Sequence, residues 1–203
     1  MKLGVLAVNR LHENMDHMES SDMPTPEQIA LANVVVDIER TAARVGWDHA
    51  PSLYALVPTS ELLNQPGLPP DIAQQITASW DGSATHLSAI IQEDLGEDDL
   101  EEVLGHLAWP QQVAGAALTV ERLVVPPEVE DAAPEDPEEA LKFISTHPSR
   151  TDVRLAVGVL RTGESWCALR TRAFDSDDKV GQGSALVPNL VQALALSLQP
   201  EEK

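Results

Sequence analysis

The sequence predicts an α+β fold, a mostly antiparallel sheet of about five strands with helices packed on one face. Three observations carry that prediction. Apolar residues recur at three- and four-residue steps near both ends of the chain, which marks helices that bury one side. Between them lie short apolar runs closed by proline or glycine, which read as strands. One stretch, Asp152 to Arg172 (DVRLAVGVLRTGESWCALRTR), reads as a tight hairpin. Helical and strand segments are grouped rather than strictly alternating, which favours this class over a doubly wound parallel sheet.

The elements follow in order. Residues 1–24 are polar beyond the first few positions and without a clean period, so they are expected to form a disordered arm or to reflect an upstream start. A single domain is expected over 25–199, with 200–203 as a disordered tail. In TPEQIALANVVVDIERTAARVG, Thr25 suits the N-cap, Pro26 the first helical position, Gln28 the capping box and Gly46 the stop. Leu31, Val35, Ile38, Ala42 and Val45 place the apolar face, and Asp37, Arg40 and Arg44 the other. SLYALVPT reads as a strand, the proline-rich stretch 60–85 as an excursion with a short helix in DIAQQITASW, and HLSAIIQED as a second strand. Asp98 and Glu101 suit a cap for DDLEEVLGHL. The run QVAGAALTVERLVVPP is long enough for a central strand, and its prolines end it because proline cannot donate to a ladder. EVEDAAPED reads as a surface linker. Asp136, Pro137 and Glu139 start a helix in DPEEALKFIST, ended before Pro148, and a closing helix runs from about Ser184 to Gln199 with Leu190, Val191, Leu194 and Leu198 as its stripe.

The hairpin concentrates four of the chain's nine arginines. Its loop Arg161-Thr162-Gly163 suits a type I turn with glycine in the left-handed position, which pairs Leu160 with Glu164. Counting back, Val153, Leu155, Val157 and Val159 share the core face with Ser165, Cys167, Leu169 and Thr171. The opposite face sets Arg154 across from Arg170, Asp152 from Arg172, Ala156 from Ala168 and Gly158 from Trp166. Two guanidiniums facing each other repel unless an anion lies between them. Glu121, on the neighbouring strand, is the expected carboxylate; a partner's carboxylate or a small bound anion are the other candidates. Trp166, Leu160 and the small residues beside them form an apolar strip that a second copy or an internal helix would cover.

Composition narrows the function. A formal charge of −20 opposes phosphate-mediated nucleic-acid binding and acidic membranes alike. Cys167 is the single cysteine and cannot form an internal disulfide, which fits a reducing cytoplasm. The opening MKLGVLAV is short for a secretory segment, and no apolar run approaches a membrane span. No metal site is expected: HENMDH (12–17) misses the HExxH spacing by one residue, and the acidic stretch after Gln92 lacks the ligand alternation of an EF-hand loop. GxSxG, Walker A and GxGxxG patterns do not occur, so neither a catalytic residue nor a cofactor is expected. Cys167 falls on the core face, where a thiol behaves as a small apolar group.

The set GWD (46–48), LYALVPTSELL, AWP (108–110), GAALTVER (115–122), HPSRTDVRLAVGVLRTG, CALR (167–170) and LVPNL (186–190) resembles a family of uncharacterised actinobacterial proteins. That resemblance implies a cytoplasmic protein and supplies no catalytic residues. The order of elements is similar, more distantly, to the type III secretion chaperones, which are acidic, dimeric and bind partner polypeptide. The expected function is therefore non-catalytic protein binding, adaptor or chaperone-like, in a homodimer. The expected binding face is Arg154, Arg170, Arg172, Trp166 and Glu121, with Trp47 and Trp109 as aromatic anchors or core plugs. A small-anion sensor or enzyme built on Arg154, Arg170 and Trp166 is the alternative.

Overall fold

The computed structural model describes residues 23–92 and 100–199. Most of the expected N-terminal arm, the C-terminal tail, HENMDH and the Asp98 cap lie outside the described residues. The elements are α1 (Pro26–Val45), β1 (Ser52–Pro58), α2 (Thr59–Leu63), α3 (Pro70–Ser79), β2 (Leu87–Ile91), α4 (Leu100–His106), β3 (Gly115–Val124), α5 (Pro127–Asp131), α6 (Pro137–Thr146), β4 (Thr151–Leu160), β5 (Ser165–Thr171), β6 (Gly181–Gly183) and α7 (Pro188–Ser197). Two single 3-10 turns, Arg172–Phe174 and Asp177–Lys179, lie between β5 and β6. All described strand pairs are antiparallel, in the order β2-β1-β3-β4-β5-β6, so the fold is α+β.

The sheet has six strands rather than about five. The sixth, β6, is a glycine-glutamine-glycine stretch without strand-like side chains, which pairs with Cys167 to Leu169. Two short helices were also not expected. α2 follows β1 directly, and α5 starts at Pro127 and takes in the first residues of EVEDAAPED, the stretch expected to be a surface linker. The caps at α1 and α6 match their sequence signals: Thr25 Oγ1 accepts from the Gln28 N–H at 3.1 Å, and Asp136 accepts from the N–H groups of Glu138 and Glu139. Gly46 ends α1 with φ 111°.

Helices lie on both faces of the sheet, not on one. The reason is in β3 and β4, where Gly115 to Val120 and Val153 to Leu160 are buried without interruption, so both faces need cover. On one side Leu155, Val157, Val159 and Cys167 pack with Leu104 of α4 and Leu190 and Leu194 of α7. On the other, Ala117, Ala156, Leu160 and Ala168 pack with Leu31, Val34, Val35 and Ile38 of α1. α1 therefore covers the apolar strip that the sequence left for a second copy or an internal helix. Gly158 makes the close approach possible, since a Cβ there would stand 2.5 Å from Val35 Cγ2 and 2.9 Å from Leu31 Cδ1. Val45, expected on the buried stripe, is 64% exposed at the end of α1, where the helix has run past the packed part of the sheet.

The β4–β5 hairpin has the register that its turn implies. Arg154 faces Arg170, Ala156 faces Ala168, Val157 faces Cys167 and Gly158 faces Trp166. The Leu160 N–H donates to the Glu164 carbonyl at 2.9 Å, and Gly163 takes φ 103°. β3 lies beside β4 with Glu121 directly opposite Arg154.

Candidate functional site

Arg154 and Arg170 meet beneath the C-terminal half of α1, each 2% exposed. They do not share one anion; each has its own. Arg154 Nη2 donates to Glu121 Oε1 at 3.0 Å and to the Gly46 carbonyl that closes α1, and its guanidinium lies 4.3 Å from the Trp47 ring centroid. The second Glu121 oxygen accepts from the Asp48 N–H at 2.8 Å. Asp48 has φ 69°, a left-handed conformation that aspartate tolerates better than most residues. The carboxylate nominated from strand alternation thus pairs with Arg154, though not with Arg170.

Arg170 is held by Glu39 of α1. Its Nε donates to Oε1 at 2.6 Å and its Nη2 to Oε2 at 2.9 Å, a bidentate pair with both side chains buried. Asp175 and Asp177 add contacts at 3.1 and 2.7 Å. Hydrogen bonding to Glu39 pushes the Arg170 guanidinium's pKa further up. Trp47 Nε1–H donates to Asp175 Oδ2 at 2.8 Å, which lowers that carboxyl's pKa and bridges the two arginine clusters. Arg170 likewise lowers Asp177. Arg172 forms a bidentate pair with Asp48, which lowers that carboxyl's pKa, and its guanidinium also lies 5.4 Å from the Trp47 ring centroid. Five carboxylates therefore balance three guanidiniums here.

The structure brings together Arg154, Arg170, Arg172, Glu121 and Trp47. Trp166 lies on the same sheet face, partly buried against the α1 cluster, with its Nε1 buried and unpartnered. Trp109 is elsewhere: it plugs the space between two core clusters, and its Nε1–H donates to Ser197 Oγ at 3.2 Å. Arg161, the hairpin's remaining arginine, gathers the carbonyls of Val113, Trp109, Pro110 and Leu198, and so ties the turn to the end of α7. Glu39 had a readable signal, because Leu31, Val35 and Glu39 align at four-residue steps. Asp48, Asp175 and Asp177 sit in loops, where no periodicity points to them.

A different surface is left open. β2 is an edge strand, and Ile90 and Ile91 are 36% and 64% exposed. Gln92 N–H donates to the Leu53 carbonyl and Thr59 N–H to that of His86, which fixes the hydrogen-bonded pairs with β1. The intervening residues Leu87, Ala89 and Ile91 consequently turn their N–H and C=O groups away from β1. Among the described residues no strand pairs with that side. Beside it, on the α1 face, is a mainly apolar cavity of about 300 Å³ lined by Val45, Ala50, Tyr54 and Ile91, with Glu121 and Arg154 among its polar lining. Arg154 Nη1 is buried and lacks a hydrogen-bond partner.

Cys167 is buried, and desolvation pushes its thiol pKa up. Thr59 Oγ1 lies 2.7 Å from His86 Nδ1 and 2.8 Å from Ser88 Oγ, with Thr59 fully buried and His86 and Ser88 half-buried. Among the described residues, no group of three His, Cys, Asp or Glu side chains is placed to hold a metal ion, and no helix is long and apolar enough to cross a membrane.

Residues 31–199 match the model of a family described as PPA1309-like protein. No curated protein and no solved structure matches the chain.

Proposed function

From the premise that the chain belongs to the PPA1309-like protein family, we propose that it is a non-catalytic, cytoplasmic adaptor that binds another protein along the outer edge of β2, with which no strand pairs among the described residues. The observation that carries this reading is the contrast between two surfaces. The arginine face is balanced inside the chain, whereas the β2 edge presents outward backbone groups beside two exposed isoleucines. Edge strands are usually guarded by lysine, proline, a bulge or extreme shortness. β6 is guarded by its three residues; β2, Leu-Ser-Ala-Ile-Ile, carries no charge or proline. The single buried thiol supports a reducing compartment.

The test compares tagged wild-type chain with an Ile90→Lys/Ile91→Lys variant as baits in native extract, after circular dichroism has shown that both fold. A protein retained by the wild type and lost by the variant supports the reading, and equal retention removes the edge from it. A second copy is the other occupant of this edge in the homodimer form of the proposal. With −20 on each chain, self-pairing should strengthen with salt, which sedimentation at low and high salt measures.

The unpartnered Arg154 Nη1 favours a second reading, a small anion sensed near the cavity. Phosphate, sulfate or carboxylates would then raise the melting temperature of the wild type but not of Arg154→Met.

A further inference from the structure

Strand addition to a sheet edge draws affinity from main-chain hydrogen bonds and specificity from pockets for alternate side chains. Both parts are present side by side in this chain. The outward N–H and C=O groups of Leu87, Ala89 and Ile91 supply the ladder. The side chains of these three residues share the face of Tyr54, which lines the cavity together with exposed Ile91. A residue of an added strand that projects to this face beside Ile91 lies next to the cavity, which Val45, itself 64% exposed, also lines. A volume of about 300 Å³ is at the small end of ligand sites and has room for one large apolar side chain.

Charge selects the flanks. The chain has a formal charge of −20, and the sequence following β2, Glu93-Asp94-Leu95-Gly96-Glu97-Asp98-Asp99, holds five carboxylates in seven residues. A segment docked on a chain of this charge gains from lysine or arginine and is repelled if acidic. We infer that the partner is recognised through an extended, basic segment that adds to β2 as a seventh strand and seats one apolar side chain in the cavity beside Ile91. This rests on the protein-binding reading and gives it a mode and a chemical class.

The probe is a random peptide library displayed on phage and selected on the full chain, followed by synthetic copies of the enriched peptides. Enriched peptides should carry lysine or arginine around an apolar residue. Their binding should slow exchange of the Ala89 and Ile91 amides, and N-methylation at alternate backbone positions should weaken it at least about tenfold, as loss of a ladder bond or two requires. Ala50→Trp, at an exposed position on the cavity wall, should weaken peptides with the apolar residue and leave those with alanine there unchanged. Enrichment of acidic peptides, indifference to N-methylation, or no enrichment overturns the inference. Protection that appears only away from β2 overturns it too, yet leaves protein binding standing. If the bait comparison also gives equal retention for wild type and variant, the edge reading falls with it.

Discussion

Replacing Glu39 by glutamine removes the charge that holds Arg170 while keeping the side chain's shape. Both residues are almost wholly buried, at 1% and 2% exposed, and the pair is bidentate at 2.6 and 2.9 Å. Removing one partner of a buried ion pair costs about 3–5 kcal/mol, because the other charge stays desolvated. Asp175 and Asp177 remain on Arg170, but their side chains are 42% and 70% exposed, so water screens their help and the lower end of that range is expected. For a chain of this size about 3 kcal/mol corresponds to a fall of roughly 6–12 °C in melting temperature. The assay is thermal unfolding by circular dichroism at neutral pH, on wild type, Glu39→Gln and Glu39→Leu/Arg170→Met. The double variant should recover most of the loss, since a buried pair exchanged for apolar side chains of similar volume is often neutral or better. A fall under about 2 °C for Glu39→Gln would refute the reasoning, since it lies below the least shift that a stranded buried charge allows.

Other outcomes follow from the same geometry. Gly158→Val should lose about 1–3 kcal/mol in urea unfolding, because its new atoms meet Val35 and Leu31 within contact distance and push α1 off the sheet. Glu121→Gln should lower the melting temperature by less than Glu39→Gln, since the Glu121 side chain is 21% exposed against 1% for Glu39. Asp175 and Asp177 titrate below the ordinary aspartate value when folded, so their contribution is present above the unfolded value and is lost as pH falls through the folded one. Acid should therefore free the Trp47 indole N–H before the β4–β5 amides exchange, which NMR at stepwise lower pH reads. Cys167 should resist a thiol reagent in the native protein over the time in which the urea-unfolded chain reacts completely.

Much of the sheet was legible because its signals are local. The type I turn with Gly163 fixes which residues of β4 face which of β5, and that alone places Arg154 against Arg170 and Gly158 against Trp166. Capping at Thr25 and Asp136 is equally local. What was not legible depends on distant segments coming together. Nothing near Asp175 or Asp177 in sequence says that they close over Arg170, and Asp48 lies in a turn whose conformation is set by the end of α1. The side of the sheet that α1 takes was also open, because either alternate set in VRLAVGVL is apolar enough to receive a helix. The small residues Ala156, Gly158 and Ala168 decide it, since only they let a helix lie so close. The exposed edge at β2 was hidden for a related reason: a strand's place in the sheet is a matter of topology, which a single strand's residues do not state.

The Glu39–Arg170 pair spans 131 residues and the Trp47–Asp175 bond 128. α1 is therefore made first and satisfied last. During synthesis at roughly 5–20 residues per second, its apolar face and buried carboxylate wait on the order of ten seconds for β5 and the loop after it to emerge. Before β4 and β5 emerge, Leu31, Val35 and Ile38 have Leu56, Leu87 and Ala117 of β1, β2 and β3 against which to shelter, and contacts of such long separation close slowly. The helix that locks the finished molecule is thus the segment most in need of a holding chaperone while the chain is incomplete, and a stalled nascent chain ending before Arg170 should be far more readily cleaved within α1 than one that includes Asp177.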